Sequence, residues 1–299
     1  MKILLPILLL ACTYSLVAQE LPDSRKQEIV IRNVNVIPMD KEQVMPNQVV
    51  VVKDGKISLL GDARMVKYSA GALVIDGTGK YLTPGLAEMH AHVPPIDDIA
   101  PMKEVVLLFA LKGVTTIRGM LGHPRHLELR SKLLSGEIIG PRLYTSGPSI
   151  NGQTANNEAT AIKMVRDQKV AGYDFLKLHP GLTVPNFNAI VQTAKEVNIP
   201  FAGHVSFAVG VWRAIDAGYA SIDHMDGFVE SLVPGIENMT EQQIGLFATF
   251  IGHQADTSRI PKLMKGLRDH HVWVVPTRHW PKDGSRPIKH PKHWARSLR

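Results

Sequence analysis

The chain has a single cysteine, Cys12, among 299 residues. No intramolecular disulfide can form, so the fold must rest on packing and polar pairing. Aromatic residues are scarce, at 6%, and are not interleaved with basic ones, which removes the stacking platforms that single-stranded nucleic acid requires. No apolar run reaches the eighteen or so residues that a membrane-spanning helix needs. Even the net charge of +7 is local. In the last twenty residues Lys282, Arg286, Lys289, Lys292, Arg296 and Arg299 face only Asp283, so five of the seven charges lie there and the rest of the chain is nearly balanced. No nucleic-acid partner is expected from such a distribution.

What is present is a 44% apolar content, enough for one large core or a barrel with a small companion domain. Residues 1–19 read as an export signal: Lys2, the apolar run Ile3 to Ala11, then small and polar residues to Ala18 and Gln19. The expected location is therefore the periplasm or outside the cell. Leu9-Leu-Ala-Cys12 also looks like a lipoprotein box, which leaves lipid anchoring through Cys12 open beside ordinary cleavage after Ala18.

Residues 28–80 read as a small β unit, sandwich-like and antiparallel. Its strands are 29–37 and 48–60, the latter broken by the hairpin signal Asp54-Gly55, with a further strand and turn over 74–80. Such a unit is too small to hold a core alone. From residue 81 to 277 the texture changes. Short apolar strands at 83–90, 114–118, 142–146, 174–178, 200–204, 220–224 and 272–276 alternate with helical stretches at 101–112, 124–135, 157–171, 185–197, 207–217 and 257–270. This alternation means α/β.

A doubly wound sheet and a (β/α)8 barrel both satisfy that pattern, and the placement of reactive residues favours the barrel. In a barrel the working side chains come from the C-terminal ends of several strands, all opening on one mouth. Four of the seven strands carry such a group at or near their ends: His90 with His92 beyond it, Lys177, His204 and His224. In a strand a His-x-His pair places both imidazoles on one face, roughly 7 Å apart, within reach of one metal ion. Lys177, between Leu176 and Leu178, points either among the helices or into the barrel, where an ammonium beside a metal makes sense only if the amine is chemically changed.

The segments Thr83-Pro-Gly-Leu-Ala-Glu-Met-His-Ala-His92, Gly113-Val-Thr-Thr-Ile-Arg118, Gly140-Pro-Arg142, Asp174-Phe-Leu-Lys177, Gly203-His204 and Ile222-Asp-His224 resemble the metal-dependent amidohydrolases. The branch they look most like holds the imidazolonepropionase-like enzymes and the secreted Xaa-Pro or Xaa-Arg dipeptidases. The resemblance covers residues ~28–277. It implies a metal-dependent hydrolase (β/α)8 TIM barrel with two divalent ions, usually zinc, at its mouth: His90 and His92 on one, His204 and His224 on the other, and Lys177, carboxylated by carbon dioxide, bridging both. It further implies hydrolysis of an amide or peptide C–N bond in a small molecule or dipeptide by a water activated between the metals.

Other residues carry two readings each. His179 either shares the inward face of Lys177 and touches substrate, or is bent into a mouth loop by Pro180-Gly181. Arg118 either meets a substrate carboxylate or pairs with an acidic neighbour. Glu88 is expected to fill the barrel interior, and His123, His126, His253, His270 and His271 to lie on the surface.

Two departures from the family pattern stand out. Only seven barrel strands are countable, and the aspartate expected at the end of an eighth, the general base, is missing: Asp256 precedes a helix, Asp269 lies in that helix's last turn, and Asp283 follows no apolar run. No catalytic base is therefore assigned. Residues 278–299, with Pro281, Pro287 and Pro291 among dense positive charge, show neither strand nor helix period and read as a tail outside the fold. The expectation is an incomplete barrel in a truncated chain. It leaves two functions open, a binuclear hydrolase and a metal-binding remnant without turnover.

Overall fold

The computed structural model describes residues 27–277. The expected signal segment with Cys12 and the basic tail 278–299 lie outside the described residues. Two compact units are distinguished, one through Pro84 and one from Gly85.

The first unit is a single five-stranded sheet of β1 (Ile29–Val36), β2 (Met45–Lys53), β3 (Lys56–Asp62), β4 (Leu73–Asp76) and β5 (Tyr81–Leu82). The order is β3-β2-β1-β4, with β5 also on β1. Asp54 and Gly55 turn the β2–β3 hairpin with φ of 52° and 71°, the two positive values a type I′ turn needs. The antiparallel, sandwich-like expectation is corrected here. β1 pairs antiparallel with β2 but parallel with β4 and β5, and the described residues form one mixed sheet. The reason is the connection: β3 already runs in the direction of β1, and residues 63–72 carry the chain to the other edge, so β4 enters the same way round. Val30, Val49 and Val51 pack on one face, and Val34, Val36 and Val50 on the other.

In the second unit strands and helices alternate as β6 (Leu86–Ala91), α1 (Ile99–Leu111), β7 (Val114–Gly119), α2 (Arg125–Ser135), β8 (Arg142–Thr145), α3 (Glu158–Ala171), β9 (Leu176–Leu178), α4 (Val184–Glu196), β10 (Phe201–Gly203), α5 (Gly210–Ala217), β11 (Ser221–Asp223), α6 (Phe228–Leu232), α7 (Glu241–Ile244), α8 (Ile260–Asp269) and β12 (Trp273–Val275). All seven expected strands and all six expected helices are present. Helix starts are set by Asp98, Asn157 and Thr183, whose side chains accept from backbone N–H groups of the first turn. Gly136, Gly172 and Gly218 end α2, α3 and α5 in the left-handed conformation.

The strands are parallel throughout, in the ladders β6-β7-β8 and β9-β10-β11-β12. Parallel bridges at Ser146–Phe175 and Ile150–Leu178 connect the end of β8 to β9. The strands thus follow one another in barrel order, and among the described residues no ladder joins β12 to β6. In β9 the two-residue period sends Leu176 and Leu178 into the core shared with Phe187 and Ile190 of α4 and Val165 of α3, which leaves Lys177 on the inner side. Residues 225–256, for which the sequence suggested no elements, form α6, α7 and short 3-10 turns around their own cluster of Val233, Ile244, Ala248 and Ile251. No helix among the described residues is long and apolar enough to cross a membrane.

Candidate functional site

The interior of the second unit gathers the strand-end residues into one cluster. The ring centroids of His90 and His92 are 5.2 Å apart, those of His90 and His224 4.5 Å, and those of His204 and His224 4.3 Å. His179 lies 5.0 Å from His204. β9 ends at Leu178, so His179 reaches the cluster from the turn beyond the strand and not as a third inward residue of it. Lys177 is fully buried, and its Nζ donates to Asp223 Oδ2 at 3.2 Å. Space for the lysine comes from the next strand. Gly203 has φ of +127°, and a Cβ there would come within 2.7 Å of Lys177 Cδ and 2.4 Å of the Leu178 carbonyl oxygen, so the position demands glycine.

At the centre is a residue that sequence reasoning missed. Asp223, at the end of β11, is fully buried and uses both carboxylate oxygens. Oδ2 is 2.8 Å from His90 Nδ1 and also accepts from Lys177. Oδ1 accepts from Ser221 Oγ at 3.1 Å and from Arg118 Nη2 at 3.2 Å. The signal that singled out Lys177, a charge inside an apolar strand, applies equally to Asp223. Asp226 was missed too: its Oδ2 is 2.7 Å from His204 Nδ1 and accepts from the Val205 N–H. Its Oδ1 is buried with no hydrogen-bond partner among the described residues. His224 Nδ1 hydrogen-bonds to Thr277 Oγ1.

Of the two readings for Arg118, the structure shows pairing with an acidic neighbour: its Nη2 donates to Asp223 and to Ser221 Oγ (2.9 Å), and its Nε to the Met89 carbonyl (2.8 Å). Two expectations are corrected. His126 is not a surface residue. It is fully buried against Leu129 on the inner face of α2, with Nε2 3.0 Å from the Pro94 carbonyl. Glu88 is half-buried and does not simply fill space, since its carboxylate accepts from the backbone N–H of His90 at 2.8 Å.

Electrostatics disfavours the protonated forms of His92, His179 and His224. Burial, joined by the neighbouring His and Lys177 charges, pushes His179 down to about 3 and His224 to about 4, and lowers His92 as well. Burial also pulls the Lys177 amine below its ordinary range, against the opposing pull of Asp223. For Asp223, burial works to raise the pKa, but the His90 hydrogen bond and the Lys177 and Arg118 charges outweigh it and hold the group at about 2. Neutral imidazoles with available lone pairs, beside an anionic carboxylate, are the donor set a divalent transition metal takes. By donor chemistry the residues fit such an ion. Among the described residues, however, no three His, Cys, Asp or Glu side chains already converge on a point that could hold one.

Next to His204 and Asp226 lies a cavity of about 420 Å³, lined by Phe207, Trp212, Phe247 and Glu230 among others. It has the size of a small-ligand pocket.

No protein-family model matches the chain. The enamidase of Eubacterium barkeri is 32% identical over 111 residues, 36% of this chain and 28% of the enamidase. The adenine deaminase of Clostridium perfringens is 24% identical over 238 residues, 71% of this chain and 39% of the deaminase. Among solved structures, a Bifidobacterium longum protein assigned as a prolidase superposes with a TM-score of 0.59 at 26% identity, over 66% of this chain and 54% of that one. The chain thus spans less than half the length of either curated relative.

Proposed function

On the footing that the chain's relatives in sequence and in fold are amidohydrolases, we propose that it is a metal-dependent hydrolase of an amide or peptide C–N bond in a small molecule or dipeptide. The observation that carries this reading is the convergence of four strand-end histidines and a buried lysine–aspartate pair from β6, β9, β10 and β11 on one interior. His90, His92, His204 and His224 would hold divalent metal, zinc in the first instance. Lys177, as a carbamate formed with carbon dioxide, would supply an anionic oxygen between two ions. Burial favours the neutral amine that carboxylation requires. Metal bound there would acidify a water and polarise the scissile carbonyl. The chain's own residues disfavour protonation of His92 and His224, exclude bulk water around Lys177 and Asp223, and offer the adjoining cavity to the substrate's side chain.

A specific observation favours a second reading, a metal-binding protein without turnover. Both aspartates of the cluster are engaged: Asp223 through both oxygens, Asp226 through Oδ2 with Oδ1 sealed from solvent. Asp256 accepts from the Ser258 backbone at the start of a 3-10 turn, and Asp269 pairs with Lys265. Among the described residues, therefore, neither aspartate of the cluster stands free to take a proton from water.

Zinc-reconstituted protein incubated with a panel of Xaa-Pro, Xaa-Arg and N-acyl amino acid substrates, with amino-acid release measured, tests both. Release that disappears in His204→Ala supports the hydrolase. Bound zinc without release supports the second reading, and absence of bound zinc overturns both.

A further inference from the structure

Resting on the metal-site reading above, the geometry points to Asp223 as the positioning residue of His90: it holds the ring in the tautomer whose Nε2 faces the histidine cluster. A histidine binds metal as a neutral imidazole through one nitrogen, and the hydrogen bond made by the other nitrogen decides which. His90 Nδ1 is 2.8 Å from Asp223 Oδ2, and the two side chains are 8% and 0% exposed. A carboxylate can only accept from this nitrogen, so Nδ1 carries a proton, and in the neutral ring that binds metal the lone pair is on Nε2.

The carboxylate cannot turn away from the ring. Ser221 Oγ and Arg118 Nη2 hold its other oxygen, and Lys177 approaches Oδ2 from β9. Arg118 also donates through Nε to the carbonyl of Met89, which fixes the β6 backbone one residue before His90. Asp223 therefore sets both the proton and the orientation of the imidazole. His92, two residues on, makes no hydrogen bond among the described residues. The His-x-His pair is thus unequal, with one ring braced and the other free to adapt.

The test uses the full chain labelled with 15N-histidine, in which His90 signals are those lost in His90→Gln. In the metal-free wild type, His90 is expected to show a protonated Nδ1 and an unprotonated Nε2. Cobalt(II) affinity is expected to fall about 10–100-fold in Asp223→Ala. It should fall less in Asp223→Asn, whose amide oxygen can still accept from Nδ1 and so preserve the tautomer. A neutral His90 ring protonated on Nε2 instead of Nδ1 in the wild type overturns the assignment, as does an Asp223→Ala protein that binds cobalt as tightly as wild type. Should Asp223→Ala fail to fold, the wild-type tautomer and the Asn variant decide. Should the wild type bind no cobalt, the metal-site reading falls, while the tautomer measurement still decides the role of Asp223.

Discussion

The two strand ladders of the second unit are built differently. On one side β9, β10 and β11 are only three residues long and every residue in them is buried, locked between helices by Leu176, Leu178, Phe201, Ile222 and the α4 residues Phe187 and Ile190. On the other side β6 pairs only with β7 among the described residues, and Leu86 and Met89 are 62% and 42% exposed. Yet β6 carries the His-x-His pair. A packed wall can hold a side chain to fractions of an ångström through van der Waals contact, whereas a strand paired on one side needs other means. Here the means are polar: Asp223 of the wall reaches His90, and Arg118 clasps the β6 backbone to the same carboxylate. The lesson is that the precision of this site comes from packing on one side and from buried charge on the other.

That contrast can be broken most forcefully at its tie. In metal-free protein with Lys177 uncarboxylated, replacing Asp223 with alanine leaves Lys177 and Arg118 buried without their counter-charge, and should cost about 3–5 kcal/mol, measured by urea unfolding. A loss below about 1 kcal/mol would mean the two sides are joined by something other than this carboxylate. Next comes the wall itself: Ile190→Ala, at a fully buried position, should cost about 2–5 kcal/mol by the same assay. Leu86→Ala on β6 should stay within about 0.5 kcal/mol. Equal costs would erase the distinction between wall and edge.

A smaller effect is expected from acid. His179 and His224 titrate at about 3 and about 4 in the fold, against an ordinary 6.5. Below 6.5 the unfolded chain takes up protons that the folded chain refuses, so metal-free protein loses stability as the pH falls from 6.5 towards 4. Asp223 stays ionised until about 2, so its contribution is retained across that window and lost only below 3.8. Thermal melts at pH 7 and pH 5 should show a lower midpoint at pH 5, and a rise would contradict the burial of neutral histidines.

Much of this architecture was legible in the sequence. The strand–helix alternation, and the places of His90, Lys177, His204 and His224 at or just beyond strand ends, follow from period-two apolar runs broken by capping residues. Asp223 and His224 were not legible as joint members of one site, because neighbouring residues of a regular strand face opposite ways, although the charge of Asp223 inside an apolar strand was itself a signal. The chain breaks that rule with φ of 62° at His224 and 61° at Met225. These left-handed positions on non-glycine residues let Asp223 and His224 both reach the interior. His126 misled for another reason: a polar residue in a charged helix reads as exposed, although Leu129, one turn on, marks the face that packs inward. The parallel pairing of β4 depends on where residues 63–72 lead, a long-range choice that local pattern does not encode.

The most direct test of the central claim, that this histidine cluster is a metal centre, is elemental analysis of the purified chain after equilibration with zinc, beside a His90→Ala/His204→Ala double variant shown by circular dichroism to be folded. The account predicts zinc bound in the wild type and lost in the variant. A wild type that retains no zinc, or a variant that retains as much, would contradict it.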